Sequence, residues 1–216
     1  MADRVDVLDH GTLAFGGVTV ADSGNSGGRL KLQVVIASTR PGRVGKPIGE
    51  WVTAEAKQHE QFEVEVADLA EIGLPFMDEP NHPRLQKYEH QHTRAWSARV
   101  ASSDAFVFVQ PEYNYGISAP LKNALDDLVV EWNRKPAAFV SYGGVSAGLR
   151  AVQHTRQVPA ALNMMPIAPA VSIPFVGSML QGGEFHPSET VQASVVPMLG
   201  ELYRWAGALR DMRREE

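Results

Sequence analysis

The sequence predicts an α/β domain, a parallel sheet of five strands with helices on both faces. Three observations predict it. From Leu30 onward, apolar runs of strand length alternate with stretches of helical period. One run, Ala105-Phe106-Val107-Phe108-Val109, is apolar at every position, which marks a strand covered on both sides. The segments after the strands are short and rich in glycine, hydroxyl and proline residues, as strand-to-helix turns require.

The elements follow in order. Leu32–Ala37 reads as the first strand. Ile48, Trp51, Val52 and Ala56 then recur at helical spacing, with Pro47 suited to a first turn. Phe62-Glu63-Val64-Glu65-Val66 alternates apolar and polar, which predicts a half-exposed edge strand. Residues 70–92 hold Leu74-Pro75-Phe76-Met77 and three prolines, so they read as a loop with at most short helical pieces. Thr93–Ser102 is a second helix, and 105–109 the central strand. Pro120 opens a third helix whose Leu121, Ala124, Leu125, Leu128 and Val129 form an apolar stripe. Ala137–Val140 is the fourth strand, Gly148–Leu162 the fourth helix and Met165–Ile173 the fifth strand. Val191–Arg213 is the last helical stretch, with Pro197 expected to kink or restart it. Right-handed crossovers then gather three loops, 38–45, 110–119 and 141–147, on one edge of the sheet. In such sheets a ligand binds at that carboxyl edge, where the strand order reverses.

Residues 1–29 read separately. Ala21-Asp22-Ser23-Gly24-Asn25-Ser26-Gly27-Gly28 is a flexible polar run, so 1–29 is taken as an extension, with a short strand around Leu13–Val20, to a domain over 30–216. The 216 residues suffice for one such domain, and a formal charge of −5 argues against generic nucleic-acid binding. The absence of cysteine excludes disulfides, thiolate nucleophiles and zinc–thiolate sites. No apolar run approaches the ~20 residues of a membrane span, and the N-terminus lacks a signal pattern, so a cytoplasmic location is expected.

The loops carry the chemistry. In the first, Ser38 and Thr39 supply hydroxyls, Arg40 and Arg43 can fork onto phosphate oxygens, and a helix start follows with its unpaired N–H groups and partial positive charge. It is neither a Walker A loop nor a Gly-x-Gly-x-x-Gly fingerprint. The second, Gln110-Pro111-Glu112-Tyr113-Asn114-Tyr115-Gly116-Ile117-Ser118-Ala119-Pro120, sets two tyrosines, an amide and a carboxylate beside the most apolar strand, which suits a flat heterocycle. The third, Ser141-Tyr142-Gly143-Gly144-Val145-Ser146-Ala147-Gly148, permits close backbone approach. His82, His90 and His92 read as solvated loop residues rather than metal ligands, since 90 and 92 point to different sides of a helix. No Gly-x-Ser-x-Gly elbow supports a serine nucleophile.

Together these loops resemble the NADPH-dependent FMN reductase family, over about residues 31–175. Pro111-Glu112-Tyr113-Asn114-Tyr115-Gly116 followed by Pro120-Leu121-Lys122-Asn123-Ala124-Leu125-Asp126 carries the resemblance, with Ser38-Thr39-Arg40-Pro41-Gly42-Arg43 as second support. The resemblance implies a flavodoxin-like sheet of order 2-1-3-4-5 and FMN as cofactor. Ser38, Thr39, Arg40, Arg43, Val44 and Gly45 would hold its phosphate. Pro111, Glu112, Tyr113 and Asn114 would run along the isoalloxazine, and Ser141, Tyr142, Gly143 and Gly144 would close its other edge. It further implies hydride transfer from NADPH (or NADH) to the flavin and on to a flavin, quinone or similar small acceptor, with no acid–base residue from the protein. The family's usual state is a homodimer or homotetramer, with the helix after the second loop helping to build the interface. Two other readings stand beside this one: a flavodoxin-type electron carrier without enzymatic activity, and a flavin-free nucleotide-binding or interaction module.

Overall fold

The run at 105–109 lies at the centre of the sheet, as its continuous apolarity requires. In the computed structural model, which describes residues 28–215, the strands are β1 (Leu30–Ile36), β2 (Phe62–Asp68), β3 (Ala105–Pro111), β4 (Pro136–Tyr142), β5 (Met165–Pro166) and β6 (Val171–Ile173). All pair in parallel in the order β2-β1-β3-β4-β5, with β6 also on β4, which is the flavodoxin-like order the resemblance implied. The helices are α1 (Gly45–Gln58), α2 (Leu69–Ile72), α3 (Gln91–Ser102), α4 (Ala119–Asp126), α5 (Leu149–Ala161) and α6 (Glu189–Arg214). The expected extension and its short strand lie outside the described residues, save Gly28 and Arg29. No helix among the described residues is long and apolar enough to cross a membrane.

Strand alternation divides the core in two. Leu32 and Val34 of β1, Val107 and Val109 of β3 and Ala138 and Val140 of β4 face α1 and α6. Val35, Phe106, Phe108, Ala137 and Phe139 face the other way, against α3, α4 and α5. Both faces are covered, so no polar position remains between Ala105 and Val109 of β3. On that second side Trp132 packs edge-on against Phe106 at 4.9 Å and Trp96 at 6.0 Å.

Four elements differ from expectation, each for a local reason. The third helix stops at Asp126 although Leu128 is buried. The indole N–H groups of Trp96 and Trp132 donate to the carbonyls of Ala124 and Leu125, taking acceptors that a further helical turn would use. The fifth strand is interrupted: Met165 and Ile167 donate to β4, and Pro169, next in that alternation, offers no N–H to the ladder. The last helix runs unbroken through exposed Pro197, held by Val195, Met198, Leu199 and Leu202 against the core. Between them lies an antiparallel pair, β7 (Leu180–Gln181) with β8 (Glu184–Phe185), that no periodicity announces.

The register brings the three loops level. Ile36 pairs with Val109, Gln110 with Ser141 and Pro111 with Tyr142, so the chain leaves β1, β3 and β4 at one height. Loop one goes to α1 on one face and loop two to α4 on the other, opening a crevice between them.

Candidate functional site

Loop one begins with a buried serine and a tight turn. The Arg43 N–H donates to the Arg40 carbonyl at 3.0 Å, with Pro41 and Gly42 at the centre and Gly42 at φ 68°, where a side chain would be strained. α1 then starts without a side-chain cap and without an acidic residue in its first turn. The N–H groups of Gly45 and Lys46, ahead of Pro47, therefore have no first-turn carboxylate competing for them. Gly45 must be glycine: a Cβ there would stand 2.5 Å from the Tyr142 hydroxyl.

Three hydroxyls meet at this point. Ser38 Oγ lies 2.8 Å from the Tyr113 hydroxyl. The Tyr142 side chain comes from the end of β4, is 4% exposed, and brings its hydroxyl against Gly45 and near Ser38, with no acceptor for its proton. Burial pushes the Tyr142 phenol up, Tyr113 adds to the rise, and Ser38 and Arg43 offset only part of it. It therefore stays protonated.

Arg43 is anchored from behind. Its Nη2 bonds the Oδ2 of Asp68, at the end of β2, while Nε is buried without a partner. Asp68 lies beside Ile36 in the sheet, and its Oδ1 accepts from Ala70 N at 3.0 Å to cap α2. Thus one guanidinium edge is spoken for and Nε still requires an acceptor.

Loops two and three are fastened to each other by Glu112. Its Oε1 accepts from Ser146 Oγ at 3.1 Å and Arg150 Nε at 2.7 Å, and its Oε2 from the Arg150 backbone N–H at 3.1 Å in the first turn of α5. Burial would raise this carboxyl, but Arg150 and Ser146 outweigh it and hold it below the usual range. The Arg150 guanidinium lies over the Tyr115 ring at 3.7 Å. Ser141 Oγ donates to the Ala147 carbonyl at 2.8 Å, closing loop three on itself. Gly143 N donates to Ile173 O and its carbonyl accepts from Val176 N, tying the loop to the chain after β6.

A cleft of about 190 Å³ lies between these loops, lined by Arg40, Gly42, Arg43, Val44, Pro111, Glu112, Tyr113, Tyr142, Gly143 and Val176. Loop residues predicted from sequence thus converge on one space. Ser38, Gly45 and Ser141 stand behind its walls, and Asn114 and Gly144 are exposed at its margin. Thr39 instead borders a second cleft, of about 400 Å³, shared with Leu69, Leu74, Phe76, Pro120 and Asn123. Sequence reasoning missed Asp68, Ser146, Arg150 and Val176. For Asp68 a signal existed, an acid at the carboxyl end of the strand paired with β1; Val176 carries none.

The histidines take structural places. His82 Nδ1 accepts from Arg84 N, and the His92 Nε2 lies 3.0 Å from Asp78 Oδ1. The rings of His90 and His92 stack at 5.2 Å rather than diverging, because His90 sits before α3 in extended conformation. Among the described residues no group of three His, Cys, Asp or Glu side chains is placed to hold a metal ion.

Comparison with known proteins gives concordant findings. Residues 30–177 match the sequence profile of a family described as NADPH-dependent FMN reductase. An NAD(P)H-dependent FMN reductase of Schizosaccharomyces pombe is 41% identical over 148 residues, 67% of this chain and 74% of that one. A probable NADPH:quinone oxidoreductase of Oryza sativa subsp. japonica is 45% identical over 78 residues, 32% of this chain and 36% of that one. The solved structure of the flavoenzyme NAD(P)H:(acceptor) oxidoreductase FerB from Paracoccus denitrificans superposes with a TM-score of 0.63 at 19% identity, covering 84% of this chain and 98% of that one, a likeness of fold.

Proposed function

We propose that this chain, which belongs to the NADPH-dependent FMN reductase family, holds FMN in the cleft at the carboxyl edge of its sheet and works there as an NAD(P)H-dependent oxidoreductase. It is a flavin-dependent NAD(P)H oxidoreductase, with FMN as cofactor and NAD(P)H as donor. The observation that carries the siting is the convergence of three loops on one cleft beside an uncapped helix start.

The residues fit the group. The buried Arg43 Nε seeks an acceptor, and the first turn of α1 presents N–H groups with no acid beside them, which suits a phosphate. FMN held there would supply the redox chemistry, the relay of electrons from NAD(P)H to a flavin, quinone or similar small acceptor. The chain's own residues position it. Ser38, Arg40, Arg43, Val44 and Gly45 form the phosphate end, with Asp68 fixing the plane of the Arg43 guanidinium. The backbone of Pro111–Asn114 borders one edge of the ring, and Ser141, Gly143 and Gly144 the other. Glu112 is the fastener between those two loops, its carboxylate engaged with Arg150 and Ser146 rather than free to move protons.

The domain spans 30–216, with 1–29 outside it, and the enzyme works in the cytoplasm as a homodimer or homotetramer. Supporting an interface near α4, Asn123 pins the 75–77 segment by donating to Pro75 O and accepting from Met77 N, while Phe76 stays 81% exposed beside the larger cleft. The test of function is the visible spectrum of the purified protein before and after anaerobic NADPH. Flavin bands that bleach within seconds are expected. A colourless protein that takes up no added FMN would overturn the reading.

A further inference from the structure

The carboxyl-edge cleft contains a donor whose place in the fold differs from that of the loop it belongs to. Tyr142 is the last residue of β4, paired with Pro111 on one side and Ile173 on the other. Alternation sends its side chain to the α1 face with Ala138 and Val140, and not up toward the rim with Gly143 and Gly144. The ring therefore passes under the first turn of α1 and delivers the hydroxyl to the side of Gly45, the first residue of that helix.

Two independent features make this spot a site for an anion. The helix start is uncapped and free of acidic residues. The Tyr142 hydroxyl is buried and aimed into that start; its polar neighbour Ser38 acts on it as a donor, and its own O–H proton meets no acceptor in the protein. A buried hydroxyl without an acceptor is disfavoured unless something else accepts its proton. The neighbouring donors are of the same kind: the Arg43 Nε is also buried and unpartnered, and Arg40 lines the same cleft. Donors without acceptors, gathered at the positive end of a helix, call for a tetrahedral oxyanion rather than for the polar edge of a flat ring.

We propose that the Tyr142 hydroxyl donates to the phosphate of FMN at the start of α1, making Tyr142 a determinant of FMN over riboflavin rather than a neighbour of the flavin ring. This rests on the FMN-binding reading above. Glycine at position 45 belongs to the same device, because any side chain there would occupy the space of the hydroxyl.

The experiment uses the full chain stripped of flavin, the parent and Tyr142→Phe, titrated with FMN and with riboflavin by quenching of flavin fluorescence. The expected result is an FMN affinity lowered about ten- to a hundredfold, the range of a hydrogen bond to a charged group, with riboflavin affinity unchanged. Inorganic phosphate should also compete with FMN less well in the variant than in the parent. Equal weakening of FMN and riboflavin would put Tyr142 at the ring and overturn the proposal, as would unchanged FMN affinity. A thermal melt of the flavin-free proteins adds a second readout. Tyr142→Phe should melt at or above the parent temperature, since it removes an unsatisfied group, and a clear drop would mean that the hydroxyl is bonded within the protein. A parent that binds neither flavin would instead remove the FMN reading itself, and this proposal with it.

Discussion

The contact between Arg43 and Asp68 makes a quantitative prediction about what the anion cradle rests on. Asp68 is almost wholly enclosed, its side chain 4% exposed, and Arg43 is 17% exposed. Replacing Arg43 by alanine leaves a buried carboxylate whose remaining hydrogen bond comes from Ala70 N. Removing one member of a buried pair costs 3–5 kcal/mol, and the partial exposure of Arg43 sets the expected loss near the lower end, about 3 kcal/mol. For a domain of this size each kcal/mol moves the midpoint by about 2–4 °C, so Arg43→Ala should melt roughly 6–12 °C below the parent. Asp68→Asn keeps an acceptor for Ala70 N and strands only a cation at the wall of an open cleft, so it should lose about half as much. In the Asp68→Asn background, Arg43→Ala should then cost little, giving a coupling of about 2 kcal/mol. Thermal and urea unfolding followed by circular dichroism, on flavin-free protein so that ligand linkage does not intervene, supplies all four corners. Should Arg43→Ala cost under about 1 kcal/mol, or the same in both backgrounds, the pair is not coupled as described. The same substitution should weaken FMN binding, whereas Asp68→Asn releases the guanidinium and should preserve it.

Three further outcomes are expected. Glu112→Ala unfastens loop two from loop three, so FMN affinity should fall about five- to tenfold through lost preorganisation, with little change in melting temperature because Arg150 is half exposed; fluorescence titration and a melt check both. Gly45→Ala forces a Cβ against the Tyr142 hydroxyl and should abolish FMN retention, whereas the double variant with Tyr142→Phe should recover the parent's melting temperature, as calorimetry would show. Lys135, buried with Nζ donating to the carbonyls of Val100 and Ala101 at 2.7 and 2.9 Å, has its pKa pushed down to about 7 by burial, with Arg213 adding to the fall. Between that value and the ordinary lysine range the unfolded chain binds more protons, so this group makes stability rise with pH from about 7 toward 10.5; Lys135→Met should flatten that slope in urea unfolding measured across pH.

How far the molecule was legible follows from how far apart the cooperating residues lie in the chain. The central strand announced itself because burial on both faces leaves no polar position between Ala105 and Val109. The edge strand was equally plain, since Glu63 and Glu65 face solvent from β2. The helix from Pro120 was read correctly in its buried face yet ran too long. Its end is set by the indoles of Trp96 and Trp132, and Trp96 lies 28 residues away from the carbonyl it takes. The loop chemistry was legible as residue types, and right-handed crossovers placed those loops on one edge. What each side chain does there was not.

By itself, then, the sequence determined the alternation of strands and helices, the parallel sheet and the three loops of anion- and ring-binding composition, because local periodicity and turn chemistry act over a few residues. Tertiary structure alone decided that Arg43 leans on Asp68, 25 residues on, that Glu112 locks to Arg150, 38 residues on, and that Tyr142 turns beneath the start of α1. Those choices depend on strand register and on which face a side chain enters, and a shift of one residue in register would reverse each of them.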